Sequence, residues 1–424
     1  MENLFGIIPE GVEDIFYHEY EVKENAILKV KDIFKSYGYR PISTPSFEYY
    51  DLFYEMDSIT DRDEMFKLID ENGKILVLRP DMTIPIARIA ALNFNNIHGS
   101  LKLSYVENVY RRSNNGAGYG KKEFVQAGIE YFGKSEADSD AEVIAVGIKS
   151  LIDCSLTDIT IEIGHVGFVK GILESCDISK KHYEDIRKYI ESKNYDELER
   201  VLNEAKLPKK YKDTLLNVIY LYGDPNEVLL KAEKMILNRG MEQSLYNMKD
   251  IYEILKLYGY KKYITFDLGL INHINYYTGA IFKGYVNSYG REVMSGGRYD
   301  TLTQRFGKFI PATGLGLNID EIMEVIGMGE IGDMFKTDYI LIYSNETRDK
   351  ALSIASKLRE NNFIVETELL NEISLNNSKQ AREVVYISKD GLKVKNMENG
   401  AVYVCKEDRF LKHVLFNNII TPIH

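Results

Sequence analysis

Glu123-Phe124-Val125-Gln126-Ala127-Gly128-Ile129-Glu130-Tyr131-Phe132 reads as a β-strand that divides a core face from a working face. Side chains alternate across a strand. Val125, Ala127, Ile129 and Tyr131 share an apolar face suited to packing on helices. Gln126, Gly128 and Glu130 share the other. At ~3.3 Å per residue, Gln126 and Glu130 stand roughly 13 Å apart. Gly128 between them contributes no side chain, which leaves room for a ligand lying on the sheet. Glu130 accepts a hydrogen bond from an ammonium or a ring N–H, and Gln126 donates or accepts. On the strand alone, the alternative that both polar side chains simply face water stands level with the ligand reading.

Working outward, strands near 101–112 and 122–132 flank the loop Ser113-Asn114-Asn115-Gly116-Ala117-Gly118-Tyr119-Gly120, a hairpin signal. Upstream, Ile15, Phe16, Tyr20, Ile27, Val30, Ile33 and Phe34 recur at helical spacing over 12–37. Pro41-Ile42-Ser43-Thr44-Pro45 is extended, because residues before proline avoid the helical region. A strand at 74–79 runs into Pro80-Asp81-Met82-Thr83, and a helix follows to about 94. Downstream, Ser139 with Glu142 forms a capping-box pattern opening a helix to about Cys154. A strand at 159–163 precedes a stretch, 165–256, that reads as almost all helix with breaks near 177, 208 and 223–225. Strands return at 263–268, 276–286 and 291–295, then a helix at 318–327. Residues 328–337 read as a linker, and 339–343, 347–361 and 363–367 as strand, helix and strand. The fold class is therefore α+β: an antiparallel sheet with flanking helices over residues 1–327, a helical insertion at about 165–256, and a small α/β domain at 338–424.

Composition sets bounds. A chain of 424 residues with 45% hydrophobic and 28% charged residues suits two or three globular domains. No stretch of eighteen apolar residues occurs, so no membrane span is expected. The start Met1-Glu2-Asn3-Leu4-Phe5 lacks the basic and apolar regions of a secretory signal. Three scattered cysteines (Cys154, Cys176, Cys405) form no CxxC pair, which fits a reducing cytoplasm and argues against a zinc site. Net charge is -11, which weakens a nucleic-acid role without excluding one. Residues 338–424 carry twelve Lys plus Arg and twelve Asp plus Glu, so a basic tRNA-gripping face is not favoured. His18, His98, His165, His182, His413 and His424 lie apart and read as ordinary packing or surface residues. His273 sits near the altered signature described below, without a catalytic reading. No phosphate-binding P-loop occurs.

Tyr105-Val106-Glu107-Asn108-Val109-Tyr110-Arg111 through Phe124–Gly133 resembles the motif 2 hairpin of histidyl-tRNA synthetases, which are class II synthetases. Gly38-Tyr39-Arg40-Pro41-Ile42-Ser43-Thr44-Pro45 with Glu48 resembles class II motif 1, the usual dimer-forming segment. Leu78-Arg79-Pro80-Asp81-Met82-Thr83 resembles the family's amino-group-binding loop. Tyr276-Tyr277-Thr278-Gly279 and Ser295-Gly296-Gly297-Arg298-Tyr299-Asp300 resemble its two histidine signatures, and Pro311-Ala312-Thr313-Gly314-Leu315-Gly316-Leu317 the opening of motif 3. These matches run in order over about the first 325 residues.

The resemblance implies a histidine site in which Asp81, Thr83 and Gln126 hold the ammonium, Glu130 and Tyr276 the imidazole, and Tyr277 lines the pocket. Arg111, which in the family holds the ATP α-phosphate, remains and is counted in the histidine-binding set. Asp81 is one methylene shorter than the family's glutamate. Three departures fall on adenylation. Ser113 replaces the adenine-contacting Glu and is followed by Asn114; Asn272 replaces the signature arginine; Glu321 replaces the arginine that stacks on ATP. Phosphoryl and nucleotidyl transfer is mostly charge stabilisation, and losing one such group typically costs ~3 kcal/mol or more.

A histidine-binding, chemically silent relative resembles the regulatory subunits of short-form ATP phosphoribosyltransferase. That resemblance implies a separate catalytic subunit as partner in the first step of histidine biosynthesis. It also implies homodimerisation through motif 1, a hetero-octamer, feedback inhibition by histidine, and no cofactor or metal. The alternatives are an unusual histidyl-tRNA synthetase, or a histidine or tRNA sensor acting elsewhere. In either resemblance residues 338–424 correspond to a shortened anticodon-binding domain.

Overall fold

The computed structural model describes residues 5–54, 64–94, 99–112, 120–176, 178–271, 276–327, 337–370 and 381–417. The chain divides into two compact units, residues 1–330 and 331–424. The first opens with Tyr17–Ser36 (α1), Arg40–Pro41 (β1), Phe47–Tyr49 (β2), Tyr50–Tyr54 (α2), Lys67–Ile69 (β3), Ile75–Leu78 (β4) and Thr83–Asn93 (α3). Leu101–Tyr110 (β5), Glu123–Phe132 (β6), Ala137–Asp153 (α4) and Ile159–His165 (β7) follow. The insertion carries Val166–Glu174 (α5), Lys180–Glu191 (α6), Tyr195–Glu204 (α7), Lys209–Val218 (α8), Tyr222–Gly223 (β8), Pro225–Glu233 (α9) and Arg239–Leu257 (α10). Ile264–Asp267 (β9), Ala280–Val286 (β10), Glu292–Arg298 (β11), Ala312–Asn318 (β12) and Ile319–Gly327 (α11) complete the unit.

The main sheet runs β1-β5-β6-β12-β11-β10-β7-β9-β8, with β2-β4-β3 forming a small separate sheet. Pairing in the main sheet is antiparallel except for β1 with β5 and β7 with β9. The expected antiparallel sheet is thus the main theme, with two parallel joints. The latter joint arises because the chain leaves β7 into the helical insertion and returns as β9, a long crossover that suits a parallel pair. Strand β12 sits inside the sheet between β6 and β11, although Pro311–Leu317 carries few β-formers and three of its seven residues are glycine or alanine. Its place comes from tertiary pairing rather than local propensity.

The two faces of β6 part as the alternation requires. Ala127 and Ile129 are buried with α1 and α4 residues such as Ile27, Val30, Val143, Ile144 and Ile148, with Val125 and Tyr131 packed against them. Phe132 turns to the opposite face, where it clusters with Met82, Ile84 and Ile86 around α3, and with Leu103, Tyr105, Tyr276 and Tyr299. Helix α1 buries Val22, Ala26, Ile27, Val30, Ile33 and Phe34. Phe16 and Tyr20, expected on that stripe, are instead 63% and 54% exposed. The helix begins only at Tyr17, and its i, i+4 stripe is in phase with Val22 rather than Tyr20.

The expected capping box at Ser139 and Glu142 does not form. Helix α4 starts at Ala137, with Glu136 at the N-cap. The Ser139 hydroxyl donates to Glu136 O (2.7 Å) and accepts from Arg298 Nη2 (2.8 Å), and Glu142 pairs with Lys102 (2.6 Å). Arg298, 5% exposed, is the reason. Its Nε donates to Asp140 Oδ2 (3.0 Å), and its Nη1 to Asp300 Oδ1 and Lys134 O (each 3.0 Å). It thereby ties the end of β11 to the first turn of α4. Arg298→Ala leaves Asp140 buried without its counter-charge, so a loss of about 3–5 kcal/mol in unfolding free energy is expected by denaturant titration. A loss under about 1 kcal/mol would contradict this.

The second unit contains Thr337–Tyr343 (β13), Arg348–Arg359 (α12), Val365–Leu369 (β14), Ala381–Ile387 (β15), Leu392–Asn396 (β16), Val402–Cys405 (β17) and Glu407–Asn417 (α13). Its sheet runs β14-β13-β15-β16-β17, parallel over the first three strands and antiparallel after them. Tyr339, Leu341, Ile354, Leu358, Val385 and Phe410 form its core. The expected linker at 328–337 lies, except for Thr337, outside the described residues.

Candidate functional site

The face of the main sheet turned toward α3 holds a cavity of about 130 Å³. Pockets for drug-sized ligands run to roughly 300–1,000 Å³, so this one suits a small metabolite. Asp81, Thr83, Arg111, Gln126, Glu130, Tyr276 and Tyr277 all line it. Residues separated by nearly 200 positions in sequence therefore meet at one place. The alternative in which Gln126 and Glu130 both face open water does not hold for Glu130, which is 1% exposed, while Gln126 is half-buried at the cavity.

The floor is made by glycine. Strand β12 pairs with β6 so that Gly314 lies opposite Glu130 and Gly316 opposite Gly128. A Cβ on Gly314 would overlap the Glu130 carboxylate, and one on Gly316 would press on the Gln126 amide. The missing side chains let these two polar groups lie along the sheet. Gly128 does the same for Tyr105, its partner on β5, whose ring occupies the space a Cβ would need.

The loop carrying Asp81 is anchored from both sides. The buried Arg79 donates from Nε to Asn108 O (2.8 Å), from Nη1 to Thr44 O (2.5 Å) and from Nη2 to Glu107 Oε2 (2.8 Å). The backbone N–H of Tyr110 closes on Arg79 O (3.0 Å). Asp81 is thereby turned inward, 2% exposed. Its Oδ1 accepts from the Thr83 N–H at the start of α3, while its Oδ2 is buried without a hydrogen-bond partner among the described residues. Burial raises the Asp81 carboxyl above its ordinary range, against the opposing charge of Arg111. Such an orphaned carboxylate oxygen is costly unless a cationic donor meets it.

Glu130 accepts from the Tyr299 hydroxyl, and Tyr105 donates to Gln126 Oε1 (3.3 Å). Burial pushes the Glu130 carboxyl up to about 8, opposed by hydrogen bonds from Tyr299 and Thr83 and reinforced by the negative charge of Asp81. Tyr276 stands edge-on to Tyr299 (ring centroids 5.8 Å) and beside Tyr277 (5.0 Å). The deep end is therefore a ring of tyrosines around two carboxyls, chemistry made for a ligand with two cationic or N–H-bearing groups. Arg111 stands at this cavity as well, its Nε donating to Pro80 O (2.7 Å) and its guanidinium 5.5 Å from the Phe124 ring centroid.

Tyr105 and Tyr299 were not among the residues expected at the site. Both had a signal. Tyr299 lies within the Ser295–Asp300 signature, and Tyr105 faces a mid-strand glycine, which often marks close approach of another group.

The sequence model of the histidyl-tRNA synthetase family matches residues 11–322. An ATP phosphoribosyltransferase regulatory subunit of Clostridium acetobutylicum is 38% identical over 377 residues, covering 88% of this chain and 92% of its own length. One from Ruminiclostridium cellulolyticum is 34% identical over 414 residues, 97% of this chain and 95% of its own. The chain belongs to the family of ATP phosphoribosyltransferase regulatory subunits. The solved ATP phosphoribosyltransferase regulatory subunit/histidyl-tRNA synthetase of Bacillus halodurans superposes with a TM-score of 0.81 at 33% identity, covering 91% of this chain and 99% of that one. A histidyl-tRNA synthetase from Nostoc shares the fold (TM-score 0.77) at 18% identity.

Of the three departures from the synthetase pattern, Ser113, with its neighbour Asn114, and Asn272 lie outside the described residues, as do His98, His273 and His424. Glu321 is described. In this family member it is 2% exposed at the first turn of α11, its N–H bonded to Asn318 Oδ1 (3.2 Å). The Tyr289 hydroxyl lies 2.5 Å from Glu321 Oε2 and 2.6 Å from Glu324 Oε2. Arg291 Nη1 sits 3.5 Å and 3.3 Å from the same two oxygens, and Lys121 bridges Glu324 to Glu13. Glu321 is thus built into a closed polar cluster. Among the described residues, no helix is long and apolar enough to cross a membrane.

Proposed function

We propose that this chain is a non-catalytic regulatory subunit of ATP phosphoribosyltransferase, and that its cavity binds histidine as the feedback signal of histidine biosynthesis. The convergence of Asp81, Thr83, Gln126, Glu130, Tyr276 and Tyr277 on one small cavity carries the reading. The orphaned Asp81 Oδ2 suits an α-ammonium, and Glu130 with Tyr276 suits an imidazole. The exchange of a stacking arginine for Glu321 supports loss of adenylation. The partner is a separate catalytic subunit, as the relatives' name suggests, and the chain dimerises through motif 1 around Pro45 within a hetero-octamer. Two-fold self-pairing is the commonest symmetry for soluble oligomers. The balanced charge of residues 338–424 supports a shortened anticodon-like domain that no longer grips tRNA.

If histidine binds here and inhibition appears on the catalytic subunit, histidine must favour one arrangement of the complex over another. Catalytic-side ligands that favour the active arrangement then weaken histidine binding by the same factor. The test is co-purification with the catalytic subunit, followed by assay of the complex carrying Gln126→Ala and Glu130→Ala. Activity should persist while the histidine concentration for half-inhibition rises roughly 30-fold or more. Full sensitivity in the double variant would place the feedback site elsewhere.

A further inference from the structure

We propose that the groove between the N-terminal segment, α1 and the β5–β6 hairpin is the docking surface for a basic, apolar-tipped segment of the catalytic subunit. The inference rests on the reading above that a separate catalytic subunit is the partner, and it names the surface that subunit takes.

The groove has a volume of about 680 Å³, against about 130 Å³ for the histidine cavity. Val125 lines the groove, and Gln126, the next residue on β6, lines the histidine cavity. The two therefore lie on opposite sides of one strand. Glu10, Glu13, Asp14, Glu123 and Asp320 bring carboxylates to the groove, and Lys23 and Lys121 bring cations. Both lysines are already matched. Lys23 Nζ lies 2.8 Å from Asp320 Oδ1, and Lys121 Nζ 2.8 Å from Glu13 Oε1 and 3.1 Å from Glu324 Oε1. The Asn108 amide donates to Glu123 (2.5 Å). Glu10 and Asp14, both exposed, meet no cation within ion-pair distance among the described residues. An acidic rim beside apolar Val12, Ile15 and Tyr20 is complementary to a cationic side chain with an apolar neighbour.

The chemistry also selects the occupant. Small ligands are fixed by a few convergent polar groups in a closed pocket. Among the described residues no orphaned buried polar atom lines this groove, in contrast to Asp81 Oδ2 in the histidine cavity. Its unmatched acids sit on an open rim, within reach of a side chain presented by another protein. Phe16, Tyr17 and Tyr20 stand exposed at the start of α1, and exposed aromatics are what interfaces favour. A second copy of this chain, paired face to face, would set Glu10 and Asp14 against their own counterparts, and like charges repel. That leaves the catalytic subunit. Asp320 adds a route for the feedback signal. Its Oδ1 holds Lys23 of α1, and its Oδ2 accepts from the Val125 N–H (2.5 Å). One carboxylate thus ties the helix at the groove to the strand that carries Gln126.

The experiment measures binding of the catalytic subunit to the full chain by calorimetry at low and high salt. The chain is wild type, Glu10→Lys plus Asp14→Lys, Glu10→Gln plus Asp14→Asn, or Tyr20→Ala. Charge reversal should weaken the complex roughly 10-fold or more, neutralisation less, and Tyr20→Ala roughly 10-fold. Added salt should weaken the wild-type complex and affect the neutralised one less. Homodimer mass by light scattering should match wild type in every variant, as should the histidine affinity of the chain alone. Tyr20→Ala and the neutralised pair carry the test if charge reversal lowers the melting temperature. Unchanged affinity for the catalytic subunit in these variants would overturn the proposal and leave the regulatory reading intact. Loss of the homodimer in its place would make the groove a contact between copies and overturn it as well. A catalytic subunit that does not bind wild type would sink both readings.

Discussion

Glu130→Gln is expected to lower histidine affinity roughly 30-fold or more, because it removes the charged partner of a buried contact. The same substitution should stabilise the empty protein at alkaline pH. The Glu130 carboxyl titrates near 8 in the folded chain, against an ordinary 4.5. The fold therefore holds its protonated form better. Its contribution is fully present below pH ~4.5, is lost as pH rises toward 8, and changes no further above that. At 1.36 kcal/mol per unit the cost at high pH is on the order of 3–5 kcal/mol. Glutamine keeps an acceptor for Tyr299 and carries no charge, so the variant should melt several degrees higher than wild type at pH 8.5 and close to it at pH 4.5. A variant that binds histidine as wild type does, or gains nothing at pH 8.5, would contradict the assigned role.

The same carboxyl shapes how binding depends on pH. Free imidazole titrates near 6.5. Between about 6.5 and 8 the empty site holds a proton and the ligand's ring does not. Forming a carboxylate–imidazolium contact then moves a proton between them with no net exchange. Below this window binding must release a proton, and above it must take one up. Histidine affinity should thus plateau between roughly pH 6.5 and 8 and fall on both sides. In Glu130→Gln the alkaline limb tied to this residue should vanish.

How much of this was legible in the sequence varied by element. The β6 alternation was unambiguous, since Ala127 and Ile129 could only be core while Gln126 and Glu130 shared a face with a glycine. What the strand could not tell was whether that face was wet. That depended on Asp81, Tyr276 and Tyr299 arriving from distant segments, which is tertiary information. β12 was missed as a strand because Gly314 and Gly316 argue against one locally; their absence of side chains is what the site needs. The capping-box reading of Ser139 failed for a similar reason, since Arg298, 159 positions away, claims the hydroxyl. In the second unit, β15 to β17 and α13 carried too little periodicity to be read.

Restoring arginine at position 321 should not revive adenylation. Neither wild type nor Glu321→Arg is expected to show histidine-dependent ATP–pyrophosphate exchange above background. By the synthetase resemblance, Asn272 still leaves out one charge-stabilising arginine and Ser113 the adenine-contacting glutamate. The missing charge-stabilising group alone is worth ~3 kcal/mol, about two decades in rate, before the lost adenine contact is added. The substitution should also damage the protein. Glu321 is buried, shares the Tyr289 hydroxyl with Glu324 and faces Arg291 at 3.5 Å. An arginine there would bury a second guanidinium beside Arg291, itself about a third exposed, and would remove one of the two carboxylates facing it at 3.5 and 3.3 Å. Placing an unanswered charge in the buried position of a pair that is open on one side costs on the order of 2–3 kcal/mol, so the variant should unfold at lower denaturant. This sets the departure apart from neutral drift: the cluster around position 321 has been rebuilt for an acid, and a single reversal cannot return it to a cation. Exchange by wild type would sink the non-catalytic reading. A fully stable Glu321→Arg would instead show that the cluster tolerates a cation and that the position remains open to ATP chemistry.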